Sequence, residues 1–193
     1  MVVCGFAVRA EDLEALKALG VRDSKVLSPA RREALEAPLK ALAAGVHLVE
    51  IQPAEMDRRN LNELELEAFA ACILALKPSA VYVDAPVGPR GIPRFRARLL
   101  ERIAPLLPEL VAENRADARF PVVSAASILA KVTRDRRISR MEAEYGEIGS
   151  GYPSDPKTKA FLSRWMAEHG TPPPIARASW GTFDRMKQAR FPF

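Results

Sequence analysis

Two short apolar runs, AVYVDAP at 80–86 and ELVAEN at 109–114, lie on either side of a stretch with helical spacing. The runs are rich in valine and leucine and too short for a core helix. Between them Phe95, Leu99, Ile103 and Leu106 recur at the spacing of one helix face. Two earlier runs, at 2–8 and 46–51, are also strand-like, and helical stretches fill the gaps. Strands that alternate with helices leave an α/β domain with a mixed sheet as the reading.

The remaining helices show in their punctuation. Leu13, Leu16 and Leu19 share a face and run into Gly20, a natural stop. Ser28-Pro29 is an N-cap followed by proline at the first helical position, and that helix runs to about Ala44, with Pro38 expected to bend or interrupt it. Leu61, Leu64, Ala68, Ala71, Cys72 and Ala75 predict a helix over 61–76 with one buried face. Residues 122–145 read as one long helix or two joined ones. A turn-rich loop, GSGYPSDP, precedes a helix over 157–168 and a last one around 179–188. The expected division is a domain over 1–148 and a helical extension over 149–193.

The net charge of +5 admits a polyanionic partner, nucleic acid first, although many basic proteins bind none. The chain is long enough to bury a core without disulfides or structural metal. Cys4 and Cys72 have no paired spacing and read as core thiols in a reducing cytoplasm. His47 and His169 are the only histidines, which argues against a histidine-rich zinc site. No run reaches the ~18 apolar residues of a membrane helix. A cytoplasmic protein, acting as a monomer, is expected.

Chemistry concentrates in four places. Asp84 closes a strand and Asp117 follows one; alone, the first reads as a turn cap and the second as a solvated loop residue. Together they can converge on one end of a sheet, and two carboxylates without histidine or thiol favour a hard cation, Mg²⁺ or Mn²⁺. Ser124, Ser127, Lys131 and Arg134 form a stripe that is either a solvated face or a helix lying under phosphates. Lys25 precedes the capped start at Ser28, either as a phosphate-binding charge or in a plain surface turn. Tyr152, between Gly151 and Pro153, either stacks on a sugar or base or pins its loop.

The segments RDSKVLS, NLNELELEAF, YVDAP, ADARFPVVSAASILAKVTRDR and GSGYPSDPKTKAFL resemble those of ribonuclease HII, in its archaeal form, in family order and over nearly the whole chain. The resemblance implies an RNase H-like domain, a mixed sheet flanked by helices, with a C-terminal helical extension. It implies cleavage of the RNA strand of RNA/DNA hybrids, and nicking 5′ of single ribonucleotides in duplex DNA, with four carboxylates holding two divalent ions. Asp84 and Asp117 match two of the four. Lys25 matches a phosphate-contacting lysine, Tyr152 a tyrosine at the RNA–DNA junction, and Ser127 and Lys131 lie in the segment flanking the site. The tail KQARFPF is similar, with imperfect spacing, to tails that dock on sliding clamps; packing on its own domain is the other reading.

The chain opens at MVVCGFAV, inside a strand. In the family a strand bearing DEAGRG comes before such a segment and supplies the other two carboxylates. The central first strand is therefore expected to be missing. The expectations that follow are an incorrect start or a fragment, a truncated or degenerate relative that binds nucleic acid without cutting, or a basic nucleic-acid-binding module of another class whose resemblance is a remnant. Residues 1–193 alone are expected to lack metal-dependent activity, with β-strand 2–8 either separated from the strand ending at Asp84 or paired directly to it.

Overall fold

The computed structural model describes residues 1–21 and 27–190. In chain order the elements are β1 (Val2–Ala7), α1 (Leu13–Ala18), α2 (Pro29–Leu42), β2 (Gly45–Glu50), α3 (Pro53–Arg58), α4 (Leu61–Leu76), β3 (Ala80–Asp84), α5 (Ile92–Ile103), β4 (Glu109–Glu113), α6 (Ala116–Arg119), α7 (Pro121–Tyr145), α8 (Pro156–His169) and α9 (Gly181–Arg190). They form two compact units. One holds residues 2–50 and 61–133; the other holds Met1, residues 51–60 and the chain from Arg134 onward.

In the first unit the strands make two two-stranded ladders. β1 and β2 pair antiparallel, with Cys4 opposite Leu48. β3 and β4 pair parallel, with Asp84 opposite Glu113, and α5 is their crossover. Both senses of pairing are present, as a mixed sheet requires, but the ladder is not continuous. Among the described residues no strand hydrogen-bonds to the second edge of β1 or of β3.

One helix serves both ladders. Leu66, Ala70 and Ile73 of α4 join Val81, Val83, Phe95, Leu99 and Leu110 in the core over β3 and β4. Another side of α4 lies on β1 and β2. There Gly5 has no room for a side chain: a Cβ would stand 2.8 Å from that of Cys72 and 2.9 Å from a Leu76 methyl. The expected single buried face of this helix is thus too narrow a reading, because Leu64, Leu66, Ala68, Ala70, Cys72 and Ile73 are all buried. A helix packed between two ladders buries more than one stripe.

The other face of the β1–β2 ladder packs on α1, α2 and the first half of α7, through Leu16, Leu35, Leu39, Ala125, Ile128, Leu129 and Val132. Pro38 does not interrupt α2, which is continuous with its N-cap Ser28 accepting from the Arg31 N–H at 3.2 Å. Proline removes one helical hydrogen bond, and the burial of Leu35 and Leu39 on either side holds the turn. Residues 121–145 are one helix.

The second unit closes on Ile148, Phe161, Leu162, Met166 and Phe183. The short helix α3, which the sequence did not announce, contributes Asp57. Its carboxylate accepts from the Ala178 N–H at 2.6 Å, the Ser179 N–H at 3.3 Å and the Ser179 hydroxyl at 2.6 Å, with Arg177 Nε 3.6 Å away. Burial pulls this carboxyl upward, but the Ser179 hydroxyl, the two N–H donors and Arg177 outweigh it and hold it below the usual aspartate range.

Candidate active site: two carboxylates at the end of a parallel ladder

Parallel strands joined by a crossover helix gather side chains at their carboxyl ends. Asp84 is the last residue of β3, on the same face as Tyr82. Its Oδ1 accepts from the Ala116 N–H at 3.3 Å, so Asp117, the next residue, is held close by. The turn into α6 bends at Arg115, which takes a left-handed backbone with φ of 58°. Asn114 ties the same turn to the segment after β3. Its side-chain amide donates to the carbonyls of Ala85 at 3.0 Å and Val87 at 2.7 Å.

Asp117 is not the solvated loop residue that its surroundings in the sequence allowed. It lies on α6, only 4% exposed. Its Oδ1 is buried with no hydrogen-bond partner. A buried carboxylate oxygen without a donor is costly unless something cationic occupies its lone pairs. Two aspartates without histidine or thiol form a donor set that fits a hard divalent ion. Among the described residues no group of three or more histidine, cysteine, aspartate or glutamate side chains stands in position to hold one.

Glu113, opposite Asp84 in the ladder, is instead ion-paired to Arg119. The Arg119 guanidinium lies 5.2 Å from the Phe120 ring centroid, and that ring packs at 4.7 Å on Tyr82. This chain of contacts braces α6, and neither Glu113 nor Asn114 was singled out from the sequence. Their position directly before RADAR was the only available signal.

On α7, Ser127 and Lys131 meet as the i, i+4 spacing requires, with Lys131 Nζ donating to Ser127 Oγ at 3.1 Å. Ser124 from the same stripe is only 1% exposed. The stripe is therefore not one solvated face: its first serine belongs to the packed side of the helix. Lys25 lies outside the described residues.

Tyr152 belongs to the second compact unit and is half exposed. Two left-handed glycines, Gly149 and Gly151, shape its loop, and a Cβ on Gly151 would meet Ile138 at 2.7 Å. Asp155 caps α8 through the Lys157 N–H at 3.0 Å and accepts from the Ser150 N–H at 2.6 Å. Hydrogen bonds from Ser150 first, then from Lys157 and Thr158, hold its carboxyl down to about 2. Arg134 lies under the tyrosine ring, 4.0 Å from its centroid, and donates to the Ser150 carbonyl at 2.6 Å.

The ribonuclease HII family model matches residues 1–183 of this chain. A ribonuclease HII from Pyrococcus furiosus is 42% identical over 193 residues, covering 98% of this chain and 85% of that protein. The crystal structure of ribonuclease H2 from Pyrococcus horikoshii superposes with a TM-score of 0.85 at 36% identity, covering 98% of both chains. A structure described as the PCNA:RNase HII complex from Archaeoglobus fulgidus gives 0.86 at 37% identity, covering 97% of this chain and 89% of that one. The match runs through the ladder end that carries Asp84 and Asp117 and through the loop that carries Tyr152, and the α/β fold is the one those relatives share. The chain belongs to the ribonuclease HII family.

Proposed function

We propose that this protein hydrolyses the RNA strand of RNA/DNA hybrids and nicks duplex DNA on the 5′ side of an embedded ribonucleotide, with Asp84 and Asp117 as metal-holding residues. The observation that carries this is the buried, unpartnered Oδ1 of Asp117 beside Asp84. Hydrolysis forms a bond between a water oxygen and phosphorus and breaks the P–O3′ bond. The water loses a proton and the leaving 3′ oxygen gains one, giving 3′-hydroxyl and 5′-phosphate ends. A divalent cation, Mg²⁺ or Mn²⁺, held by the two aspartates supplies Lewis-acid chemistry when bound.

The chain's other residues bind and orient. Arg115, exposed beside Asp117, attracts the phosphate to be cut. Lys25 and the Ser127–Lys131 pair contact neighbouring phosphates. Tyr152 stacks at the sugar of the RNA–DNA junction, backed by Arg134. The KQARFPF tail docks on a sliding clamp, which the assembly named for the Archaeoglobus relative supports.

A second reading, nucleic-acid binding without cleavage, is favoured by one observation: no third candidate ligand joins the two aspartates among the described residues. One experiment separates the two. Purified protein is given a labelled duplex with one embedded ribonucleotide, with Mg²⁺, Mn²⁺ or chelator, and both binding and cleavage are measured. A chain extended by an N-terminal Asp-Glu strand of the family type is run beside it. The expected result is metal-dependent cleavage by the extended chain, lost in its Asp84→Asn and Asp117→Asn variants with thermal melting retained, and no cleavage by residues 1–193 alone. Tight binding with no cleavage by either chain would replace hydrolysis with the binding reading.

A further inference from the structure

We propose that Arg90, in the turn that leads into α5, and Arg94 and Arg96, in its first turns, form a surface that holds the phosphate backbone of duplex nucleic acid beside the Asp84–Asp117 end of the ladder. The inference rests on the nucleic-acid substrate proposed above. It adds a place where the duplex is gripped away from the bond that is cut.

The first ground is charge without structural use. Arg90, Arg94 and Arg96 are exposed, and among the described residues none of their side chains has an ion pair or hydrogen bond. Further along the same helix the pattern reverses. Arg98 donates to Glu63 at 2.6 Å, and Arg102 reaches Glu63 at 3.0 Å and Glu67 at 3.7 Å. From Ala85 to Leu100 the sequence has no aspartate or glutamate. The positive charge is thus neutralised at one end of the helix and left open at the other.

The second ground is position. α5 is the crossover between parallel strands, so its first turn lies at the carboxyl end of β3, where Asp84 stands. The amide of Asn114 fastens the β3–α5 connection to the turn that carries Arg115 and Asp117, through the Ala85 and Val87 carbonyls. The dipole of α5 adds positive potential at this same end.

The third ground is what the surface lacks. Its exposed uncharged residues are Pro89, Pro93 and Ala97. None is the aromatic or large aliphatic anchor around which protein partners build their affinity. Arginine forks on small residues suit phosphate oxygens instead.

The test measures binding of the full chain to a labelled RNA/DNA hybrid over a series of salt concentrations. Each arginine on a phosphate contributes ~0.9 to the slope of log K against log salt. Arg90→Gln/Arg94→Gln/Arg96→Gln is expected to flatten that slope by about two to three units and to leave the thermal midpoint unchanged. Arg98→Gln/Arg102→Gln, on the paired end of the same helix, is expected to keep the parent slope. If the parent binds with a steep slope and the triple variant matches it, the surface is not a phosphate contact. Equal flattening in the Arg98/Arg102 control would assign the effect to bulk charge and overturn the proposal. If the parent binds neither hybrid nor duplex, the substrate reading beneath the proposal falls, and the proposal falls with it.

Discussion

A tyrosine ring with a guanidinium 4.0 Å from its centroid is held by more than its own loop. Arg134 reaches Tyr152 and the Ser150 carbonyl at once, so the ring is oriented before any substrate arrives. Stacking at a nucleic-acid sugar or base is worth about 1–3 kcal/mol. In the chain extended by the family's first strand, Tyr152→Ala is therefore expected to slow nicking at a lone ribonucleotide by roughly tenfold or more while sparing long hybrids, read as the ratio of the two rates. A ratio equal to the parent's would return Tyr152 to pinning its loop. Asp155 makes a second prediction at this scale. Its carboxyl is held down to about 2, so the folded state favours the ionised form. The stabilisation is complete above the ordinary aspartate value of ~3.9 and fades as pH falls toward 2. The gap in thermal midpoint between parent and Asp155→Ala should close over that window; a gap constant down to pH 2 would refute the assignment. Of these residues the sequence revealed Tyr152 by its turn, but not Arg134 beneath it. The two lie eighteen positions apart, across a helix end and a loop, and no periodicity links them.

At the scale of elements, α4 decides how the two ladders are arranged. At Gly5 the antiparallel ladder and α4 approach each other closely, and the missing side chain makes that approach possible. Gly5→Val would have to push α4 away, and with it Leu66, Ala70 and Ile73 in the core over β3 and β4. Such overpacking costs about 1–3 kcal/mol, measurable as a lower denaturant midpoint at unchanged m-value. Unchanged stability would mean that α4 yields without strain. Much at this scale was legible. Ser28-Pro29 marked the start of α2, and VYVD marked a strand with its aspartate at the end. Helix α7 followed from its apolar stripe, Ala125, Ile128, Leu129 and Val132, all of them buried. The short helices were not legible. α6 has four residues and α3 six, and each is held by contacts from elsewhere: Asp84 on the Ala116 N–H, and residues 177–179 on Asp57. The division of the sheet was one of the two expected outcomes, and the strands' own residues could not choose between it and direct pairing, because they say how a strand is buried and not which edges are filled.

For the molecule as a whole, the feature with the widest reach is the ten-residue excursion, Ile51–Asn60, that leaves one compact unit, joins the other and returns. Asp57 is its anchor, and its lowered carboxyl value adds stability that is lost as the group is protonated in acid. Asp57→Ala is expected to expose the backbone of 171–183 to hydrogen exchange well before the β3–β4 ladder opens. Protection unchanged in that segment would show that the other contacts of the unit suffice. The excursion also bears on inheritance. A unit encoded in one unbroken stretch can be copied, traded between genes or trimmed away by a single break. Neither unit here has that freedom, for no single break separates them. A break near Arg134 strands Ile51–Asn60 with the wrong half, and a break near Glu50 or Asn60 divides the first unit itself. The two are therefore expected to be inherited together, and exchange of any one contiguous segment of this chain to be poorly tolerated.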